Sequence, residues 1–193
     1  DTLTVTATND ITATPTIAGI ENIVFNLNSL TAATANATAF DVDAANIVGG
    51  TVTMDVTKAG STIAAANITN LASGTTFATD LTTVSVAGAA NGDHVVSLTG
   101  AAQSLTQTGA TDTLTINSGS MTLANAAADE AIVINSTSSV TVTDIVPVVK
   151  SLNSLDVNAA GAIVITDLTS GGDVDLDTST GNITVSTVSK TGA

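Results

Sequence analysis

The chain has 193 residues, which is enough for one domain with a sizeable core, and its 17 acidic residues against three lysines give a net charge of −14. Aromatic residues make up 2% of the chain, with no Trp or Tyr, and Cys is absent. This composition argues against nucleic-acid binding, which needs basic and stacking side chains, and it excludes disulfides and thiolate chemistry. Membrane insertion is not expected either, because no apolar run approaches the about 20 residues that span a bilayer.

Apolar and polar residues alternate along most of the chain, and this period of two predicts short β-strands. Thr and Val dominate the pattern, and branching at Cβ favours the extended backbone. Helical signals are limited to Asn125–Glu130, which could form one turn, and to the short Ala-rich stretch Ile63–Asn67. The predicted strands, in chain order, are Thr2–Thr6, Glu21–Asn28, Gly50–Val56, Leu81–Ala87, His94–Leu98, Asp112–Asn117, Ala131–Asn135, Ser139–Asp144, Leu152–Val157, Ala162–Thr166, Asp173–Asp177 and Asn182–Thr187.

A glycine-led phrase recurs near the end of the chain, at Gly161, Gly172 and Gly181, each followed by alternating aliphatic residues. Short equivalent strands with small aliphatic cores are typical of coils that stack and bury one another's faces. The sequence therefore predicts a single repetitive all-β domain over residues 1–193, a parallel β-solenoid (a right-handed β-helix) with about 20 residues per coil. An antiparallel β-sandwich is the second candidate, because strands every 9–12 residues also suit that fold.

Clustered aspartates are the main candidates for a metal site. Asp173, Asp175 and Asp177 are spaced two residues apart, so on a strand their carboxylates share one face, with Val174 and Leu176 pointing inward between them. Asp41 and Asp43 repeat the pattern more weakly. Calcium is the cofactor that this arrangement suggests, since it takes several oxygen ligands at once. The alternative is a solvated acidic edge that discourages aggregation between strands.

Catalysis is not expected from this composition, and we predict that the protein is not an enzyme. Paired carboxylates could cleave glycosidic bonds, but the Arg, Tyr and Trp side chains that usually hold a sugar are missing. The single histidine, His94, follows Asp93 directly, and neighbours on a strand face opposite sides, so the two cannot form a relay. We expect His94 at the surface or in a ladder of stacked side chains.

Two phrases resemble bacterial S-layer proteins and large secreted surface proteins of the repeats-in-toxin type. Ile17–Phe25 follows the form I-x-G-(I/V)-E-x-aliphatic, and both Leu81–Val86 and Leu152–Val157 follow L-T-T-(L/V)-x-(V/L). The resemblance implies an exported β-solenoid at the cell surface. The calcium-binding nonapeptide of repeats-in-toxin proteins is not matched, because Gly171–Asp175 begins like it and then lacks the third glycine.

These observations favour a structural function. We expect a self-associating extracellular or cell-surface protein, an S-layer or filament subunit, and we interpret the chain as a segment of a larger exported protein. Attachment to a cell-surface glycan or the outer membrane would then lie outside this segment. The competing hypotheses are a stalk or spacer of a large adhesin and a virion fibre or decoration protein.

Overall fold

The computed structural model describes residues 1–7, 11–27, 40–48, 53–57, 65–88, 92–101, 103–108, 111–125, 128–143 and 154–190. Within these ranges all regular structure is extended, in twenty strands. They are β1 (Thr2–Ala7), β2 (Ile11–Ala13), β3 (Ile17–Ala18), β4 (Asn22–Leu27), β5 (Phe40–Asp43), β6 (Ile47–Val48), β7 (Thr53–Thr57), β8 (Ala65–Leu71), β9 (Thr76–Thr79), β10 (Thr83–Gly88), β11 (His94–Leu98), β12 (Gln103–Thr108), β13 (Thr111–Ser118), β14 (Met121–Asn125), β15 (Ala128–Ser136), β16 (Val140–Val142), β17 (Ser154–Ala159), β18 (Ile163–Ser170), β19 (Asp173–Thr178) and β20 (Ile183–Lys190).

The strands form two sheets of nine, and the chain visits the sheets in turn. The first sheet has the order β1-β4-β7-β9-β11-β13-β15-β17-β19, and the second has the order β2-β5-β8-β10-β12-β14-β16-β18-β20. A small third sheet pairs β3 with β6. Neighbouring strands are parallel, which excludes the antiparallel sandwich and makes the protein a parallel β-solenoid. The right-handed winding stays a prediction, in keeping with the usual hand of parallel crossovers.

The predicted strands all fall on observed ones, although the short strands β2, β3, β5, β6, β8, β9, β12 and β14 were not predicted. The predicted residues 28, 50–52, 144 and 152–153 lie outside the described part of the chain. Both helical expectations are wrong where the structure describes them. Ala65–Asn67 begins β8 and Ala128–Glu130 begins β15. Strand pairing, on both sides at Ala66 and Asn67 and on one side at Ala128, overrides the local preference of Ala for helix.

The parallel register stacks inward residues of successive coils in straight lines, which we call columns. In the second sheet, one column contains Ile11, Phe40, Ala66, Val84, Leu105, Leu123, Val142, Ile165 and Val185. In the first sheet, the corresponding column contains Leu3, Ile23, Phe77, Val96, Ile116, Ile134, Val157 and Leu176, and the backbone of Met54 occupies the register position between Ile23 and Phe77. Their described members away from the two ends of the stack are buried. Since the driving force scales with apolar area removed from water, these columns are the main source of stability.

All three phenylalanines of the chain lie in this core, and Phe40 contacts the other two. The rings of Phe25 and Phe40 meet edge to face with centroids 5.0 Å apart, and Phe40 stacks on Phe77 at 6.5 Å. Phe40 belongs to the second sheet and the other two belong to the first. The few aromatic residues therefore bridge the two sheets, and Phe25 and Phe77 lie on strands of the first sheet that β7 separates.

A buried glutamine ties two corner segments together. The side chain of Gln103 donates from Nε2 to the carbonyl oxygens of Thr79 (3.0 Å) and Leu81 (2.6 Å), and its Oε1 accepts from the backbone N–H of Gly100 (2.6 Å). A buried amide is tolerated when its donors and acceptor are satisfied in this way. Gln103 thus replaces backbone pairing where the chain turns between coils.

Each copy of the glycine-led repeat corresponds to half a coil, that is, to one strand and the turn before it. Gly161 precedes β18 and Gly181 precedes β20, both in the second sheet, whereas Gly172 precedes β19 in the first sheet. Gly161 and Gly181 lie at the same corner of successive coils in close contact. A Cβ on Gly181 would come within 2.5 Å of Ala162 Cα and of Gly161 C. Only glycine permits this approach of the two backbones.

The inward columns predict that truncating Ile134 lowers the free energy of unfolding much more than truncating its neighbour Val133. Ile134→Ala leaves a cavity between Ile116 and Val157 and should lower the free energy of unfolding by about 2–5 kcal/mol. The matched control is Val133→Ala, because Val133 is half-buried on the outer face and its truncation should cost less than about 1 kcal/mol. Urea unfolding measures both values, and equal losses would contradict the assignment of the two faces.

The corner contact predicts that Gly181→Ala is more damaging than a glycine substitution at an open corner. The added methyl group meets backbone atoms that cannot move independently, so we expect a loss of about 1–3 kcal/mol and faster amide exchange in β20. Gly119→Ala is the control, since its Cβ would make only an ordinary contact, 3.5 Å from the carbonyl oxygen of Gly100. Hydrogen exchange measures the protection of β20 in both variants. Similar protection in the two would show that the corner tolerates a methyl group.

Candidate functional site

The last coil carries the predicted acidic cluster on its outer face. Asp173, Asp175 and Asp177 are exposed residues of β19, and their backbone partners in β17 are Ser154, Asp156 and Asn158 in that order. The structure confirms that the three aspartates share a face. Residues two apart on a strand are separated by about 6.6 Å, whereas partners on neighbouring strands are about 4.8 Å apart. The closest pairing of acidic residues is therefore between coils, at Asp156 and Asp175.

Asp156 belongs to this acidic face although the sequence analysis did not select it. Its side chain accepts a hydrogen bond at Oδ1 from the amide nitrogen of Asn158, at 2.9 Å. The sequence does contain a pattern that could have identified it: Leu155-Asp156-Val157 has the same alternation as Val174-Asp175-Leu176, which lies one coil later. Within the described ranges, no three carboxylate or imidazole side chains converge in a group that could hold a metal ion. Calcium binding at Asp173, Asp175 and Asp177 stays a prediction.

Asp41 and Asp43 form a second acidic face, on β5, and each is held by an asparagine of the next coil. Asn67 Nδ2 donates to Asp41 Oδ1 at 2.8 Å, and Asn70 Nδ2 donates to Asp43 Oδ1 at 2.8 Å. Asp43 Oδ1 also accepts the backbone N–H of Ala45 at 3.0 Å. These bonds give the two carboxylates neutral partners within the protein, so their arrangement does not require a cation.

Both aspartates line a shallow groove of about 280 Å³, together with Thr12, Ala13, Thr14 and Thr69. The hydrogen bonds from Asn70 and, secondarily, from the Ala45 backbone lower the pKa of Asp43 below its ordinary value of 3.8. Asn70 is held in the left-handed region, at a φ of 54°, beside an irregularity in the pairing of β8 with β10. This local backbone conformation places its amide over the carboxylate.

The pKa of Asp43 gives a test of this contact. A lowered pKa means that the ionised carboxylate favours the folded state above pH 3.8, and that this contribution is lost as the pH falls below that value. Asn70→Gly keeps the left-handed backbone accessible and removes the amide, so the pKa of Asp43 should rise toward 3.8. Carboxyl NMR titration measures it. Asn67→Ala is the control and should leave the pKa of Asp43 unchanged; an unchanged value in Asn70→Gly would contradict the contact.

A third surface runs along one corner of the solenoid, where the strands of the first sheet end. Outward residues Asn117, Asn135, Asn158 and Asp177 stack in successive coils and line an open groove of about 650 Å³. Asn135 donates from Nδ2 to Asn117 Oδ1 at 3.3 Å. This arrangement is a row of amide and carboxylate groups spaced by one coil. The sequence analysis did not predict this row. The pattern that could have revealed it is an Asn or Asp followed by a small residue at the same corner of each coil.

Hydroxyl groups close the same corner by bonding to the coil before them. Ser136 Oγ donates to the carbonyl oxygen of Gly119, and Thr178 Oγ1 donates to that of Gly161. Ser179 Oγ reaches the carbonyl oxygen of Ala160 at 3.2 Å. Such bonds satisfy turn carbonyls that have no strand partner. Ser and Thr at these positions therefore have a structural role.

His94 lies inside the core, so of the two positions expected for it, at the surface or in a ladder of stacked side chains, the surface position is wrong. It is 1% exposed and aligned with Leu114 in the next coil. Val96 and Leu98 occupy the following inward positions of the same strand and fix which face is buried. Asp93 is exposed and its Oδ1 accepts the N–H of Thr113 at 3.1 Å. The expectation that Asp93 and His94 face opposite sides is confirmed.

The chain matches no protein-family model, and neither a curated protein nor a solved structure is similar to it. The described residues contain no helix with the length and hydrophobicity that crossing a bilayer demands. The resemblance to S-layer and repeats-in-toxin-type proteins therefore depends on the phrases Ile17–Phe25, Leu81–Val86 and Leu152–Val157. In the first phrase, Gly19 takes a positive φ of 69° in the turn before β4.

Proposed function

We propose that this protein is a structural, self-assembling component of an extracellular surface, a segment of an S-layer or filament subunit. The observation that supports this proposal best is the unbroken parallel stack of nine strands in each sheet, with aliphatic columns running along it. Such a rod buries its core through regular repetition and presents long, regular faces. The exposed described side chains are mostly hydroxyl, amide and carboxylate groups, with Val48, Val174, Ile183 and Val185 as the large hydrophobic exceptions, and the single histidine is buried.

The charge balance restricts how copies can associate. With Lys58, Lys150 and Lys190 as the only basic residues besides His94, pairing between copies cannot neutralise a net charge of −14. Salt reduces the repulsion, since the Debye length is about 8 Å at physiological ionic strength, but it creates no attraction. Assembly therefore needs interfaces made of neutral residues, or divalent ions between carboxylates. Calcium can link two chains because it accepts oxygen ligands from both.

Assembly and its dependence on calcium can be tested together. Purified protein is examined by sedimentation and negative-stain electron microscopy over a range of concentrations, with calcium or with a chelator at fixed ionic strength. We expect ordered fibres or sheets, and loosening of the assembly by the chelator with little change in melting temperature, since the aliphatic core needs no ion. Isolated monomers under all conditions would contradict the proposal. Assembly that the chelator does not affect would exclude the calcium role alone.

A matched variant pair locates the ion. Asp175→Asn removes one carboxylate of the Asp156–Asp175 pair, and Asp43→Asn removes one from the second acidic face. If calcium acts at the last coil, only Asp175→Asn should abolish the response to the chelator. If neither variant changes that response, the predicted calcium sites at Asp173, Asp175, Asp177, Asp41 and Asp43 are wrong.

A further inference from the structure

The groove of about 650 Å³ at the corner of the first sheet presents one hydrogen-bonding side chain per coil. Asn117, Asn135, Asn158 and Asp177 follow one another in register on β13, β15, β17 and β19. Neighbouring parallel strands lie about 4.8 Å apart, so the row repeats at that interval. A groove of this size is within the range of ligand sites, and its regular row fits an extended ligand whose own units repeat at a similar interval.

The contacts within the row leave both donors and acceptors available. Asn135 donates from Nδ2 to Asn117 Oδ1 at 3.3 Å, and Asn158 donates from Nδ2 to Asp156 Oδ1 at 2.9 Å. These bonds do not use Asn117 Nδ2, Asn135 Oδ1 or Asn158 Oδ1, and all three side chains are exposed. A hydroxyl group pairs with both kinds of atom, because it donates and accepts at the same time.

The floor of the groove adds small apolar groups and a buried hydroxyl. Ala159 and Ala160 line it, together with Ser118, which is 9% exposed. The Oγ of Ser118 has no hydrogen-bond partner within the described part of the chain, whereas Ser136 at the same position of the next coil donates to the carbonyl oxygen of Gly119. Buried hydroxyl groups normally have a partner. Rotation about χ1 of Ser118, from one staggered rotamer to another, gives a ligand access to this hydroxyl.

The charge of the groove restricts the ligand further. Asp177 lines it, Asp156 lies beside the row, and the chain as a whole has a net charge of −14. Among the described residues that line the groove, none is basic. An anionic polymer is therefore repelled from this corner, and a neutral ligand rich in hydroxyl groups is favoured.

We propose that this corner groove binds a neutral, extended oligosaccharide, with consecutive hexose units along consecutive coils. A hexose unit in an extended chain has a length comparable with the rise of one coil, so each amide of the row can bond to the hydroxyl groups of one unit. The surface of Ala159 and Ala160 suits the apolar faces of the rings. This inference concerns a single copy of the chain and goes beyond the proposed self-assembly.

The groove holds the ligand through many weak contacts. The chain has no Trp, Tyr or Arg, which are the side chains that usually hold a sugar, so one hexose unit alone binds weakly. Joining the units into one chain makes each further contact intramolecular, and affinity therefore increases with the number of coils that the ligand spans. A hexasaccharide should accordingly bind more tightly than a disaccharide of the same linkage.

NMR titration of the isotope-labelled monomeric protein tests the ligand class. The probes are cellohexaose and maltohexaose, which are neutral and differ in linkage, and hexagalacturonate, which is anionic. We expect at least one neutral hexasaccharide to shift the side-chain amide signals of Asn117, Asn135 and Asn158, and hexagalacturonate to bind at least about tenfold more weakly. If neither neutral hexasaccharide shifts these signals, or if hexagalacturonate binds equally well, the proposal is overturned.

Variants test the row and the floor separately. Asn135→Ala with Asn158→Ala removes two consecutive exposed amides, so the melting temperature should stay the same while the Kd increases at least about tenfold. Ser118→Ala removes a hydroxyl that has no partner in the fold, so stability should not fall while the Kd increases about threefold.

The matched control replaces two exposed asparagines outside the groove. Asn22→Ala with Asn46→Ala should bind the hexasaccharide like the wild type. Unchanged affinity in the double groove variant or in Ser118→Ala would overturn the proposal, and so would an equal loss in the control. Sedimentation of the unliganded protein decides the proposed self-assembly independently of these titrations.

Discussion

Backbone hydrogen bonds between successive coils, in parallel register, are the constraint on which the rest of this structure depends. They align each residue with a partner about 20 residues away, as the bond from Val95 N–H to the carbonyl oxygen of Thr75 illustrates. The pleat then sends alternate residues of every strand into the core or into solvent. A residue's neighbour in space is thus determined by its position in the coil. Most described inward positions are apolar, and a few polar residues such as His94 and Gln103 are buried among them.

The same register is unfavourable for charged groups, because it also places residues of the same charge next to each other in successive coils. Aspartates such as Asp156 and Asp175 are brought side by side. Several local solutions are visible. Asn67 and Asn70 supply amide donors to carboxylates of the coil before them, Gln103 satisfies three backbone groups at a corner, and serine and threonine hydroxyls bond to turn carbonyls. Neutral hydrogen-bonding side chains therefore allow an acidic protein with few cations to stack its strands.

The sequence by itself determined the all-β class and the inward position of residues such as Val174 and Leu176, because a period of two is a local property. It also placed Asp173, Asp175 and Asp177 on one face for the same reason. It favoured the solenoid over the antiparallel sandwich, but the parallel pairing that separates these two folds came from the tertiary structure. Only the tertiary structure decided which residues from different coils meet. Asp156 joins the acidic face, Asn70 covers Asp43, and Asn117 contacts Asn135 through pairings set by loop lengths that no local pattern reveals. Burial of His94 and the extended start of β15 likewise depended on strand pairing, which outweighs the preferences of individual residues.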